Sequence, residues 1–112
     1  MAVGKLARKA MVEKFEGRCG YCGTKPEYLH VDHIKPRAAG GNNALENLMP
    51  SCPSCNNFKG IFSLEEFRNQ LVLQVERARK YSLNFRMCER YGHITVHALP
   101  EIKFYFEQVS RG

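Results

Sequence analysis

Five cysteines stand at positions 19, 22, 52, 55 and 88 of this 112-residue chain, and four of them form two tight pairs, "CGYC" (19–22) and "CPSC" (52–55). Two Cys-x-x-Cys pairs give the spacing of a tetrahedral zinc site, because each short turn aims two thiolates at one ion about 2.3 Å away. Gly20 and Gly23 ease the first turn, and Pro53 stiffens the second. A redox reading needs one such pair in a strand–helix–strand setting, and neither pair has that setting. The odd cysteine count and the lack of a secretory signal pattern also disfavour a disulfide framework. Cys19, Cys22, Cys52 and Cys55 are therefore read as ligands of one structural Zn2+, and Cys88 as an apolar thiol. The consequence is topological. The 29 residues between Cys22 and Cys52 become a closed excursion held beside whatever follows Cys55. A chain this short has one modest core, and such a metal adds folding free energy on the order of 10 kcal/mol.

Within the excursion, "YLHVDHI" (28–34) is aromatic and β-branched with polar residues interspersed, the pattern of a strand. Alternation places His30, Asp32 and Ile34 on one face and Val31 and His33 on the other. An aspartate inside a short apolar stretch is costly unless a cation meets it. Pro36 ends the strand, and "AAGGNN" (38–43) is a loop rich in turn residues. "ALENL" (44–48) reads as a short helical turn or ordered loop containing Asn47, and "CNNFKGIF" (55–62) begins a helix carrying Asn56 and Lys59.

Taken together, "CGYC … HVDHIKP … GG … LENL … CPSCNNFKG", over roughly residues 15–61, resembles the HNH endonucleases. The resemblance implies an α+β fold with a ββα-metal (His-Me finger) core. It also implies His33 as the general base and Asp32 as a ligand of one catalytic divalent cation. Asn47 would hold the loop that orients the histidine. Asn56 would be the second ligand, where the family has histidine or asparagine. An Asp and an Asn oxygen suit a hard ion such as Mg2+ or Mn2+. His30 matches no essential family position, and on Asp32's face it lines the site or approaches substrate. The chemistry is coherent on its own terms. An imidazole that titrates near neutral pH accepts a proton from water, and a divalent ion stabilises charge on the phosphoryl and leaving oxygens.

Net charge is +6 with a pI near 9.2, which suits a polyanion. Lys35, Arg37 and Lys59 flank the catalytic pattern and are the expected phosphate contacts, Lys59 foremost. No apolar run is long enough to cross a bilayer, so the cytoplasm is the default compartment and no membrane partner is expected.

The flanks read as follows. Residues 4–16 form an amphipathic helix with Leu6, Ala10, Val12 and Phe15 inward and a basic side available to DNA. Ser63 and Glu66 make a capping box, starting one helix over 64–80 on Leu64, Phe67, Leu71, Val75 and Ala78. A second helix covers 84–92, closed by Gly92, and "HITVHAL" and "EIKFYFEQV" form a terminal hairpin split at Pro100. His93 and His97 are surface or packing residues rather than ligands. The expected organisation is a single domain, with a nuclease core over 1–62 and an extension over 63–112. The extension either covers apolar surface of the core or serves specificity or homodimerisation. The expected activity is metal-dependent hydrolysis of duplex DNA, one strand nicked per site, leaving 5′-phosphate and 3′-hydroxyl ends. Similar small nucleases belong to phages, prophages and restriction systems. The alternative is a non-catalytic zinc module that binds nucleic acid.

Overall fold

The structure, a computed structural model, describes residues 3–98 and 101–109. Helix α1 (Lys5–Lys14) leads into the first cysteine pair. Strands β1 (His30–His33) and β2 (Leu48–Ser51) pair antiparallel, with Asp32 opposite Met49 and His33 opposite Leu48. Helix α2 (Pro53–Lys59) follows at once from the second cysteine pair. β1, β2 and α2 together make the expected ββα unit, in an α+β chain whose other elements are helices. Cys52 caps α2 with its sulfur accepting from the Cys55 N–H, and Pro53 sits at the first helical position, where its missing N–H costs nothing.

The core is aromatic and centres on Tyr21. Its ring meets those of Phe67 and Phe104 edge-on at 5.2 and 5.3 Å, and Phe67 stacks on Phe104 at 5.1 Å. All three rings are buried, along with Phe15, Leu29, Met49 and Cys19. Phe67 lies on α3 (Leu64–Val72) and Phe104 just before α6 (Tyr105–Val109), so the C-terminal extension packs into the same core as the cysteine pairs. Phe67 and Phe104 of the extension are thus buried within the chain. No helix among the described residues is long and apolar enough to cross a membrane.

The flanks depart from expectation in three places. On α1 the buried residue is Met11, flanked by half-buried Ala7 and Val12, whereas Leu6 is 84% exposed and Ala10 is exposed too. The helix is rotated from the predicted face so that Met11 and Phe15, the larger groups, fill the core. The helix expected over 64–80 is broken at Leu73 into α3 and α4 (Gln74–Tyr81). There the Gln74 side-chain amide donates to the Gln70 carbonyl at 2.8 Å, the acceptor a continuous helix reserves for the Gln74 backbone N–H. The terminal hairpin does not form among the described residues (Leu99 and Pro100 lie outside them). Instead Tyr105 and Phe106 donate their N–H groups to the carbonyls of Tyr21 and Gly20 at 2.9 and 2.8 Å. Docking on the first cysteine turn wins over self-pairing because it buries Phe104.

Other local signals hold. The Ser63–Glu66 capping box is complete in both directions. Helix α5 (Leu83–Arg90) starts one residue early because the Ser82 hydroxyl accepts from the Phe85 N–H, and Gly92 follows it with φ of 80°. Cys88 is half-buried, and His93 and His97 are exposed. No residue of α4 or α5 is buried, and the pair extends the molecule to 49 × 28 × 26 Å. Truncating Phe104 to alanine is expected to cost about 3–5 kcal/mol, the usual range for a buried aromatic. Urea denaturation reads this directly, and an unchanged midpoint would mean that the C-terminal segment does not pack on Tyr21.

Candidate active site

Two constellations share the ββα unit. The first is the cysteine cluster, in which the sulfurs of Cys19, Cys22, Cys52 and Cys55 all lie within 4.8 Å of one another. The Cys22 and Cys52 sulfurs are 3.7 Å apart, close to the edge of about 3.8 Å that four sulfurs at 2.3 Å from a tetrahedral ion would have. Each turn also aims a backbone N–H at a sulfur, Cys22 to Cys19 at 3.5 Å and Cys55 to Cys52 at 3.3 Å. A hydrogen bond from the Cys55 thiol holds the Cys19 sulfur down at about 4, and the same contact, helped by burial, pushes Cys55 up. Four crowded sulfurs that must share protons in this way are donors arranged for a metal ion.

The second constellation lies on β1, where consecutive residues point to opposite sides. Asp32 faces inward and is 7% exposed. Its Oδ2 accepts from the Tyr21 hydroxyl at 2.5 Å and from the Lys59 ammonium at 3.1 Å. Burial, and then the Asp32 charge, push the Tyr21 phenol far above its ordinary range, so it remains a donor. Lys59 also donates to the His33 carbonyl at 3.0 Å, which ties the end of α2 to the backbone of β1. The cation that Asp32 meets in this structure is therefore Lys59. The expectation that Lys59 contacts phosphate does not fit a side chain with 0% exposure. It was drawn from helical spacing alone, and the turn at Gly60 and the sheet close over it.

His33 faces outward. Its Nε2 lies 2.7 Å from Asn43 Oδ1 and 3.3 Å from Arg37 Nε. One nitrogen cannot donate to the first and accept from the second. An amide oxygen only accepts and a guanidinium only donates, so Nε2 bonds to one or the other according to the tautomer of the ring. Arg37 also donates to Asn43 Oδ1 at 3.2 Å, which steadies the same oxygen. Asn47 braces the loop. Its Oδ1 accepts from the Lys35 N–H at 2.8 Å, and its Nδ2 donates to the Lys35 and Asn42 carbonyls at 3.1 and 2.9 Å. Gly41 sits where a Cβ would fall 1.8 Å from the Lys35 carbonyl, so the loop closes only with glycine there.

Asp32, His33 and Arg37 line one shallow cleft of about 220 Å3 with Gly60 and Ile61. Asn56, half-buried on α2, does not line it, and its side chain has no hydrogen bond among the described residues. Lys35 is exposed beside the loop. His30 packs edge-on against Tyr28 at 4.9 Å. Asp32 Oδ1 and the Asn56 amide oxygen accept no hydrogen bond among the described residues, and both are hard donors of the kind Mg2+ or Mn2+ takes. Three residues here were invisible from the sequence pattern: Tyr21, Asn43 and the inward Lys59. Tyr21 alone left a trace, as a large aromatic inside a cysteine turn.

Lys59→Met should destabilise the protein by about 3–5 kcal/mol, because it strands a buried carboxylate, whereas adding Asp32→Asn should recover much of the loss. A urea double-mutant cycle checks this, and strictly additive losses would mean that the pair is not formed.

Residues 19–61 match the family model of the HNH endonucleases. The chain is 40% identical over 58 residues to the CRISPR-associated endonuclease Cas9 of Corynebacterium diphtheriae, an alignment covering 49% of this chain and 5% of that protein. It is 34% identical over 68 residues to a Bacillus subtilis protein named "SPbeta prophage-derived putative HNH endonuclease YoqL", covering 49% of this chain and 28% of that one. The chain thus spans a small part of each relative. The matched segment runs from the first cysteine of the cluster to the cleft residue Ile61, and it encloses both constellations. Residues 19–61 are a domain of the HNH endonuclease family.

Proposed function

We propose that this chain is a metal-dependent DNA endonuclease that nicks one strand per active site. The observation that carries this reading is the outward His33 imidazole, held at Nε2 by Asn43 and with no hydrogen bond to Nδ1 among the described residues, on the strand that also carries Asp32. His33 Nδ1 accepts a proton from the attacking water, and the water oxygen then adds in line to phosphorus. Expulsion of the 3′ oxygen leaves 5′-phosphate and 3′-hydroxyl ends. Asn47 holds the loop on which Asn43 and Arg37 ride, so it acts as a positioning residue. Lys35 and Arg37 stand at the surface for phosphate contacts.

Two metals fit this reading in different ways. Cys19, Cys22, Cys52 and Cys55 would hold Zn2+ as scaffold, since an all-sulfur closed site has no open position for substrate. Asp32 and Asn56 would hold Mg2+ or Mn2+, which supplies stabilisation of charge on the phosphoryl and leaving oxygens when bound. Lys59 compensates the Asp32 carboxylate until then. That same pairing is the observation favouring the second reading, a non-catalytic zinc module that binds nucleic acid, in which Asp32 serves only to anchor α2.

Nicking of supercoiled plasmid in Mg2+ or Mn2+ separates the two. Wild type should cut, and His33→Ala should lose about 10²–10⁴-fold of the rate, the usual share of a general base. Equal rates would remove His33 from the chemistry, and no cutting by wild type would favour the binding module. The division between metals has its own check. Cys52→Ser should lose zinc, whereas folded Asp32→Ala protein, although destabilised by the stranded Lys59 ammonium, should keep zinc while cutting is lost. Zinc loss from Asp32→Ala, read by elemental analysis, would contradict two separate sites.

A further inference from the structure

A second and larger cleft, about 430 Å3, opens on the outward side of β1 and is lined by Val3, Arg8, Tyr28, Val31, His33 and Arg37. It shares Val31, His33 and Arg37 with the smaller cleft beside Asp32, so the two form one surface with His33 between them. Arg8 comes from α1, outside the matched family segment. Its position is fixed twice. Nη2 donates to the Leu29 carbonyl at 2.6 Å, and the guanidinium lies over the Tyr28 ring at 4.9 Å from its centroid. No carboxylate pairs with Arg8 among the described residues, and its Nε and Nη1 have no hydrogen bond there. Tyr28 is 56% exposed, although it is a large aromatic, because its work is to carry the guanidinium rather than to fill the core.

A rigidly held arginine with no internal anion, at a wall shared with His33, is built to receive one from outside. We propose that Arg8, seated on Tyr28, is a phosphate-binding residue for the substrate strand. It takes a backbone phosphate neighbouring the one that His33 acts on. The proposal rests on the nuclease reading and extends it to a residue of the N-terminal helix. A guanidinium whose fork is already oriented loses little freedom on bonding phosphate. Arg8 thereby fills on the open face the part that Lys59, buried beneath the sheet, does not play.

The test measures binding rather than cutting. A fluorescein-labelled duplex DNA oligonucleotide is titrated with His33→Ala protein without Mg2+ or Mn2+, across a series of KCl concentrations. Adding Arg8→Ala should weaken binding about tenfold, as loss of one charge-assisted contact does. The slope of log affinity against log salt should become shallower by about one unit. Tyr28→Leu should lose part of the affinity because the guanidinium loses its seat. Replacing single phosphates by neutral methylphosphonates should reveal one linkage next to the cut whose neutralisation weakens the parent but not Arg8→Ala. An Arg8→Ala protein that melts like the parent and binds with the same affinity and slope would overturn the proposal. If Arg8→Ala fails to fold, Arg8→Lys decides. Retained charge with a lost methylphosphonate response supports the oriented fork, and a parent-like response overturns it. A parent that binds no DNA at all would sink the nuclease reading as well, which keeps the two failures apart.

Discussion

The four-sulfur cluster is the constraint on which everything else depends. It joins two chain segments separated by a 29-residue excursion and sets the start of α2 against the turn that carries Tyr21. From those two fixed points, the Tyr21 hydroxyl and the Lys59 ammonium reach the same oxygen of Asp32. Asp32 and Lys59 are therefore secured from both sides of the cluster, and β1 is secured with them.

Strand alternation then divides the work between neighbours. Asp32 turns inward and anchors, while His33, the next residue, turns outward to an open surface. The anchor is polar, so its position depends on a few oriented bonds rather than on the volume of a hydrophobic plug. The outward histidine is held just as narrowly, by Asn43 at one ring nitrogen and by the Asn47-braced loop behind it. Asn43 meets the ring and Arg37 through its side-chain oxygen, Asn47 hydrogen-bonds the backbone of Lys35 and Asn42, and Gly41 lets that loop close. The aromatic cluster of Tyr21, Phe67 and Phe104 supplies the rigid backing and recruits the C-terminal extension to the same purpose.

How much of this was legible in the sequence follows the range of each signal. The cysteine turns, the strand around Asp32, the Ser63–Glu66 box and the Gly92 stop are encoded within a few residues of one another, and they appear where the pattern puts them. Asn47 ends a short helical turn and hydrogen-bonds the backbone of Lys35 and Asn42. Two of the misplacements are long-range. Spacing made Lys59 look like a surface cation, but its burial depends on a carboxylate 27 positions earlier. The aromatic run at 104–106 alternates like a strand, yet it is drawn to Tyr21, more than eighty residues away. The break at Leu73 turns on a side-chain amide competing for a backbone acceptor, which apolar periodicity does not see. On α1 the apolar spacing gives the helix and the inward Val12 and Phe15, but Met11 takes the buried position in place of Leu6 and Ala10.

The metal site that clips the fold is made of sulfur alone, and neither Asp32 nor His33 is among its ligands. Zinc-edge X-ray absorption on the purified protein tests this most directly. The account predicts one zinc per chain with four sulfur neighbours at about 2.3 Å and no nitrogen or oxygen. A first coordination sphere containing imidazole nitrogen or carboxylate oxygen would contradict it, because residues assigned to hydrolysis would then belong to the scaffold.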